Sequence, residues 1–280
     1  MNEMDYIGSK EKINAMAKDA MDHIGNNFSS KSLLRYPGGK TRAIDEITRY
    51  FPNEMKEMSS PFFGGGSIEI CMASKGVKVH GYDAFTPLVE FWQCVLRTPY
   101  KLAIVVEEYL PLTKKNFYDL KQSQSTFKTK LERAAAFYVL NRSSFSGSTL
   151  SGGMSPKHPR FTPSSIDRLR AFHNPNIKIT KMDFENSINN STNMFKYLDP
   201  PYFLINQTLY GKNGSTHRDF DHDRLYDVLL HQNNWIMSYN DCDAVRTMYR
   251  DYRMETPVWK YGMSKNKSSN ELLIFSKDIT

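Results

Sequence analysis

The sequence predicts an α/β fold: a mixed sheet flanked by helices and interrupted by a mainly helical insertion. Three observations predict it. Short apolar runs ending in turn residues or acids recur near 56–62, 77–83, 176–184 and 194–198, as buried strands do. The glycine loop Phe63-Gly64-Gly65-Gly66-Ser67 separates the first run from a helical pattern, so strand, glycine loop, helix, strand and acid make one βαβ unit. From 86 to 173 the strand texture gives way to helical periods.

Taken in order, Ile13, Met16, Ala17, Ala20, Met21 and Ile24 keep helical spacing over 9–24, and Gly25 can terminate that helix. A polar stretch follows, then the turn Tyr36-Pro37-Gly38-Gly39-Lys40, which opens a helix over 41–51. The strand near 56–62 leads through the glycines into a helix from Ile68 to Lys75, stopped by Gly76. Val77 to Asp83 alternates as a second strand. Helical periods cover 86–97, 99–109, 113–122 and 127–141, and a Ser/Gly-rich segment from Asn141 to Gly153 is too long for an idle connection. A short helix spans 166–172. Asn176 to Phe184 reads as a third strand and Met194 to Leu198 as a fourth. A helix over 218–231, a strand over 235–239 and a helix over 242–250 follow. Val258–Met263 and Glu271–Phe275 close the chain as an expected hairpin.

Composition bounds the function. The 280 residues are 40% hydrophobic, enough to bury a core, and carry net charge +7. An excess of Lys and Arg suggests a polyanionic partner, most simply nucleic acid, although a merely soluble basic protein has the same balance. Three cysteines, Cys71, Cys94 and Cys242, lack motif spacing, so neither a disulfide framework nor a zinc site is expected. The sequence opens without a signal-peptide pattern, and no run approaches the ~20 apolar residues of a membrane helix. The expectation is a cytoplasmic protein with no membrane partner and no metal.

Two constellations carry chemistry. Gly64 to Gly66 let a ligand approach the backbone closely and expose amide donors at a helix N-terminus. The loop is neither the dinucleotide fingerprint nor a phosphate loop, and Asp83 lies where an acid binds ribose hydroxyls in nucleotide-binding α/β folds. An adenosine-type cofactor without a long phosphate chain is therefore expected. The second constellation is Asp199-Pro200-Pro201-Tyr202, at the end of a buried strand. The prolines remove two backbone donors and stiffen the loop, leaving a carboxylate and carbonyls as acceptors and Tyr202 as a stacking surface. Those parts suit a planar ring bearing an exocyclic amine, although a solvated strand end followed by a proline turn has the same sequence.

Together the motifs resemble the Dam-like family of S-adenosylmethionine-dependent DNA adenine-N6 methyltransferases. Tyr36-Pro37-Gly38-Gly39-Lys40, Pro61-Phe62-Phe63-Gly64-Gly65-Gly66 and Asp199-Pro200-Pro201-Tyr202 match in the family's order. Met182-Asp183-Phe184 is similar to its adenine-binding segment, and Ser238 to Asp241 and Asn270 to Ile274 resemble late motifs. The resemblance covers roughly 33–84 and 176–276. It implies a Rossmann-like methyltransferase domain over 31–85 and 176–280, a target-recognition domain over 86–175, and an additional segment, 1–30. It assigns cofactor binding to Tyr36, Lys40, Pro61, Phe62, Phe63, Gly64, Gly65, Gly66, Ser67, Asp83, Asp183 and Phe184. Asp199, Pro200, Pro201 and Tyr202 would be catalytic, with Asp199 and the Pro200 carbonyl accepting from N6 and Tyr202 stacking on a flipped adenine.

Within the insertion, Asn141-Arg142, Phe145 and Gly147 resemble the family's segment before a DNA-contacting hairpin. Arg142, Lys157, His158 and Arg160 could reach phosphates or base edges and Phe145 could wedge between bases, so Asn141, Arg142, Phe145, Lys157 and Arg160 are the expected contacts to double-stranded DNA. Ser148 to Gly153 depart from members that read GATC. No residue pattern specifies a cognate restriction endonuclease. Three other readings keep most of these motifs: an RNA base or a protein glutamine amide as acceptor, N4 of cytosine as acceptor, and a catalytically silent DNA-binding regulator. The Asp at 199, the insertion and the intact glycines favour DNA adenine.

Overall fold

The computed structural model describes residues 29–155, 160–203, 220–257 and 271–279. Among them a seven-stranded mixed sheet is flanked by ten α-helices. The elements are α1 (Ile44–Thr48), β1 (Glu57–Ser60), α2 (Ser67–Ser74), β2 (Lys78–Asp83), α3 (Thr86–Arg97), α4 (Pro99–Glu107), α5 (Lys114–Ser123), α6 (Lys130–Ser143) and α7 (Pro163–Arg170). They continue with β3 (Ile177–Lys181), α8 (Phe184–Asn189), β4 (Phe195–Leu198), α9 (His222–Leu230), β5 (Trp235–Asn240), α10 (Asp243–Met248), β6 (Arg253–Glu255) and β7 (Glu271–Phe275).

The strand order is β3-β2-β1-β4-β5-β7-β6. The first five strands in that order are parallel, and β7 enters antiparallel between β5 and β6. The chain order reverses between β1 and β4, which lie side by side. In open α/β sheets such a reversal opens a crevice at the C-terminal strand ends. The glycine loop leaves one of these strands and Asp199 leaves the other, so both motifs meet at that crevice.

Alternation along the central strands builds two apolar layers. Tyr197, Ile236, Leu273 and Phe275 face one cluster, whereas Leu198, Trp235, Met237, Leu272 and Ile274 face the other. The first cluster runs without a break from the sheet into Leu88, Phe91 and Trp92 of α3 and Phe137 and Tyr138 of α6. The helical region therefore shares the sheet's core instead of closing one of its own. The second cluster is covered by Ile188, Leu225 and Val245 of α8, α9 and α10. None of the described helices is long and apolar enough to cross a membrane.

Two expectations are corrected. The third strand stops at Lys181, and Phe184 opens α8 because the Asp183 side chain accepts from the Glu185 amide and caps the helix. The observed antiparallel partner of Glu271–Phe275 on the sheet's outer side is the three-residue β6. The expected partner, 258–263, lies outside the described residues, as do the 9–24 helix and the first residues of the 218–231 helix.

Candidate active site

The first turn follows from its residues. Tyr36 carbonyl accepts from the Gly39 amide (3.0 Å), with proline second and Gly38 at φ 72° third, the requirements of a type II turn. The turn carries Lys40 inward, where it is 3% exposed. Its Nζ donates to Asp199 Oδ1 (2.6 Å), Tyr202 Oη (2.8 Å) and the Gly38 carbonyl (3.1 Å), and lies 3.7 Å from Glu271 Oε2. Burial works to lower the Lys40 pKa, but the charges of Asp199, Tyr202 and Glu271 overcome it and hold the ammonium well above its ordinary range. Asp199 is the opposite case. Burial raises its pKa to about 6 against the pull of Lys40, so the carboxylate is ionised at neutral pH. Its side chain keeps 24% exposure, against 2% for Lys40. Of the pair, the acid is the more open to the cleft.

The second turn is the glycine loop. Gly66 caps α2 at φ 67°, and a Cβ there would lie 2.7 Å from the Phe63 ring. A Cβ on Gly65 would lie 2.7 Å from Tyr36 Cβ, so the two turns pack directly together. Asp83 accepts from the Gly64 amide (3.0 Å) and the Phe85 amide (2.9 Å), tying the end of β2 to the loop. Burial raises its pKa to about 6, opposed by those amides.

Both turns open into one cleft. Tyr36, Lys40, the whole run Pro61 to Ser67, Asp83, Asp183, Phe184 and Asp199 to Tyr202 all line it. The cleft is open at its mouth. One wall is aromatic: Phe62 stacks on Phe184 (5.7 Å between centroids) and Phe220 meets both rings. Arg224 lies 4.4 Å over Phe184 and pairs with Asp183 and Glu185, so Asp183 is a helix cap and an ion-pair partner as well as part of the lining. The carboxylates Glu69, Asp83, Asp183, Asp199 and Asp221 outnumber the cations Lys40 and Arg224 along the walls. Such a lining repels a polyphosphate and suits a cationic or zwitterionic nucleoside.

A family model described as "D12 class N6 adenine-specific DNA methyltransferase" matches residues 36–263. The chain belongs to this D12 class family. It is 25% identical over 229 residues to the type II methyltransferase M.FokI of Planomicrobium okeanokoites, covering 74% of this chain and 35% of that protein. It is 28% identical over 123 residues to the DNA N-6-adenine-methyltransferase of Escherichia phage P1, covering 42% of this chain and 16% of that protein. The chain thus spans only a minor part of the length of these two relatives. Against the type II methyltransferase M.MjaIII of Methanocaldococcus jannaschii it is 26% identical over 205 residues, or 64% and 71% of the two chains.

The segment after α6, expected to contact DNA in this family, is not uniform. Phe145 stands 65% exposed on a short 3-10 turn (Phe145–Gly147) within the loop closed by a bridge between Ser144 and Met154. Arg160 is exposed and Arg142 half-buried. Lys157 and His158 lie outside the described residues. Asn141 is corrected: it is 0% exposed, its Oδ1 accepts from the Arg35 amide (2.9 Å), and its Nδ2 donates to the Arg35 carbonyl (2.8 Å) and Thr149 Oγ1 (3.0 Å). It is an internal tie with no open face for DNA.

Three residues escape assignment to the site from sequence. Glu271, 2% exposed, contributes the second carboxylate at Lys40. Glu69 lines the cleft with its Oε1 bonded to Ser60 Oγ (2.7 Å), and burial raises its pKa to about 7. Asn240, at the end of β5, clamps the loop after Tyr202: Oδ1 accepts from the Phe203 amide (2.8 Å) and Nδ2 donates to its carbonyl (3.0 Å). The late motifs containing Asn240 and Glu271 are the available signal.

Proposed function

We propose that this chain is a site-specific DNA methyltransferase that moves a methyl group from S-adenosylmethionine to N6 of an adenine flipped out of duplex DNA. The supporting observation is that the glycine turn and Asp199 open into one cleft, since the reaction needs both ligands within bonding reach of each other. The lining fits the cofactor: glycine backbone at a helix start, a raised acid for ribose hydroxyls, an aromatic wall for adenine and an excess of carboxylates for a sulfonium. Tyr36, Pro61 to Ser67, Asp83, Asp183 and Phe184 would hold it. When bound, S-adenosylmethionine would supply an electrophilic methyl to the amine nitrogen, its sulfur keeping the electron pair of the carbon–sulfur bond.

The residues of the chain do the rest. Asp199, ionised at neutral pH, accepts a hydrogen bond from the amine together with the Pro200 carbonyl, orienting the nitrogen lone pair and receiving the proton that leaves after transfer. Pro200 and Pro201 keep that loop stiff. Lys40 fixes the Asp199 carboxylate and the Tyr202 hydroxyl at once, so the acceptor and the stacking ring move as a unit. Tyr202, backed by Tyr239 at 6.4 Å, offers its face to the extruded base. Phe145 and Arg160 approach the duplex, as wedge and phosphate contact. In Asp199→Ala, incorporation of tritiated methyl into duplex DNA should fall to background while calorimetric binding of S-adenosylmethionine stays within a few-fold of the parent. Near-normal turnover in that variant removes Asp199 from the chemistry.

A further inference from the structure

Four arginines gather where the insertion meets the segment leading to the glycine–lysine turn. Arg35 donates from Nη1 to the Ser144 carbonyl (3.2 Å), and Arg168 from Nη2 to the Ser32 carbonyl (3.0 Å). Arg142 donates from Nε to the Arg160 carbonyl (3.0 Å) and from Nη1 to the Leu33 carbonyl (3.4 Å). These bonds go to neutral carbonyls. Arg133, Arg170, Arg224, Arg246 and Arg253 each face a carboxylate, whereas none of these four forms an ion pair among the described residues. The four also feel one another. Burial and the Arg160 charge lower the Arg35 pKa, and burial together with Arg168, Arg35 and Arg160 lowers that of Arg142, with Tyr138 opposing.

Like charges held together by the fold, with no counterion among the described residues, are arranged for an external anion. Their position narrows which one. Asn141 fixes both backbone polar groups of Arg35, and the next residue, Tyr36, lines the cleft and packs against Gly64 and Gly65. Arg160 and Arg168 are exposed, and Arg35 and Arg142 are half-buried. A small anion inside the cleft would meet its carboxylates, whereas phosphates running along the surface outside it would meet these guanidiniums, whose planar forks match phosphate oxygens.

We propose that Arg35, Arg142, Arg160 and Arg168 form one seat for the backbone phosphates of a duplex beside the base that enters the cleft. The proposal rests on the DNA methyltransferase reading. It adds Arg35 and Arg168 to the DNA-binding residues expected from the insertion and joins them to the residue that shapes the cofactor turn.

The test is the salt dependence of binding to a short unmodified duplex by the full chain, its Arg35→Gln and Arg168→Gln variants, and Arg168→Lys. Each glutamine variant should reduce the magnitude of the log K against log salt slope by about 0.9 for every phosphate that is no longer neutralised, with Arg168→Lys restoring most of it. Thermal unfolding without DNA and binding of S-adenosylmethionine should stay as in the parent. Slopes and affinities equal to the parent in both glutamine variants overturn the seat. A lowered unfolding temperature with an unchanged slope overturns it too, since the arginines would then only stitch the two segments together. Arg168 is on the surface, so its variants keep the test decisive if Arg35→Gln does not fold. Methyl incorporation by the parent separates the two claims. A parent that transfers methyl groups while the slopes stay unchanged loses only the seat, and one that binds with the expected slopes but transfers none loses only the enzymatic reading.

Discussion

Replacing Lys40 with Met should move the pH at which the proposed methyl transfer is lost. In the parent, burial places the Asp199 pKa at about 6, with the Lys40 ammonium 2.6 Å away already pulling it down. Transfer needs the carboxylate, so activity should rise with pH through about 6. Stability has the opposite sign: an acid whose folded pKa exceeds its unfolded value contributes stability below the unfolded value that is lost as pH rises through the folded one. A charge pair about 4 Å apart contributes roughly 4 kcal/mol at an effective dielectric near 20, equivalent to about three pKa units. Asp199 is 24% exposed, so solvent screening reduces this. A rise on the order of one to two units remains, and Glu271, left without the ammonium, adds to it. Initial rates of tritiated methyl transfer across pH 5–9 should show the acidic limb of Lys40→Met shifted up by that amount, with activity at pH 7 down about two- to tenfold and largely regained at pH 9. Breaking a buried pair costs about 3–5 kcal/mol of stability, so rates belong well below the variant's unfolding transition. A limb that stays near pH 6, whatever the plateau, refutes the claim that Lys40 sets the ionisation of Asp199.

Glu69, raised by burial from 4.5 to about 7, should make the free protein lose stability as pH climbs from 5 to 8; the shift corresponds to on the order of 3 kcal/mol. Unfolding temperatures of parent and Glu69→Gln should therefore converge at low pH and separate in the variant's favour at high pH, and parallel curves would show that the group is not buried as an acid. Asn240→Ala removes both bonds that hold the Phe203 backbone and should lower kcat about ten- to a hundredfold. Binding of S-adenosylmethionine should change little, and an equal loss in both would place Asn240 in general stability instead of loop positioning.

Much of the site is legible in the sequence because its parts are local. Gly64 to Gly66, Tyr36 to Lys40 and Asp199 to Tyr202 each build a turn from adjacent residues, and the run before Asp199 could only be a strand that two prolines end. What stays hidden depends on pairings made far along the chain. The pairing of Lys40 with Glu271 exists because β7 folds back antiparallel to β5, which no local pattern announces. Asn141 has the residue type of a DNA contact but the surroundings of a buried tie, and only the approach of Arg35 reveals that. Phe184 reads as strand because an apolar residue after an alternating run has no periodicity of its own; the cap made by Asp183 decides for helix. The three-residue β6 is too short to carry a pattern.

The measurement that bears most directly on the central claim is nucleoside analysis of unmodified duplex DNA after incubation with the protein and methyl-labelled S-adenosylmethionine. The account predicts label in N6-methyldeoxyadenosine alone, and none when Asp199 is replaced by Ala. Label on another base, or undiminished label from the variant, would contradict a single cleft that presents an adenine amine to the methyl donor.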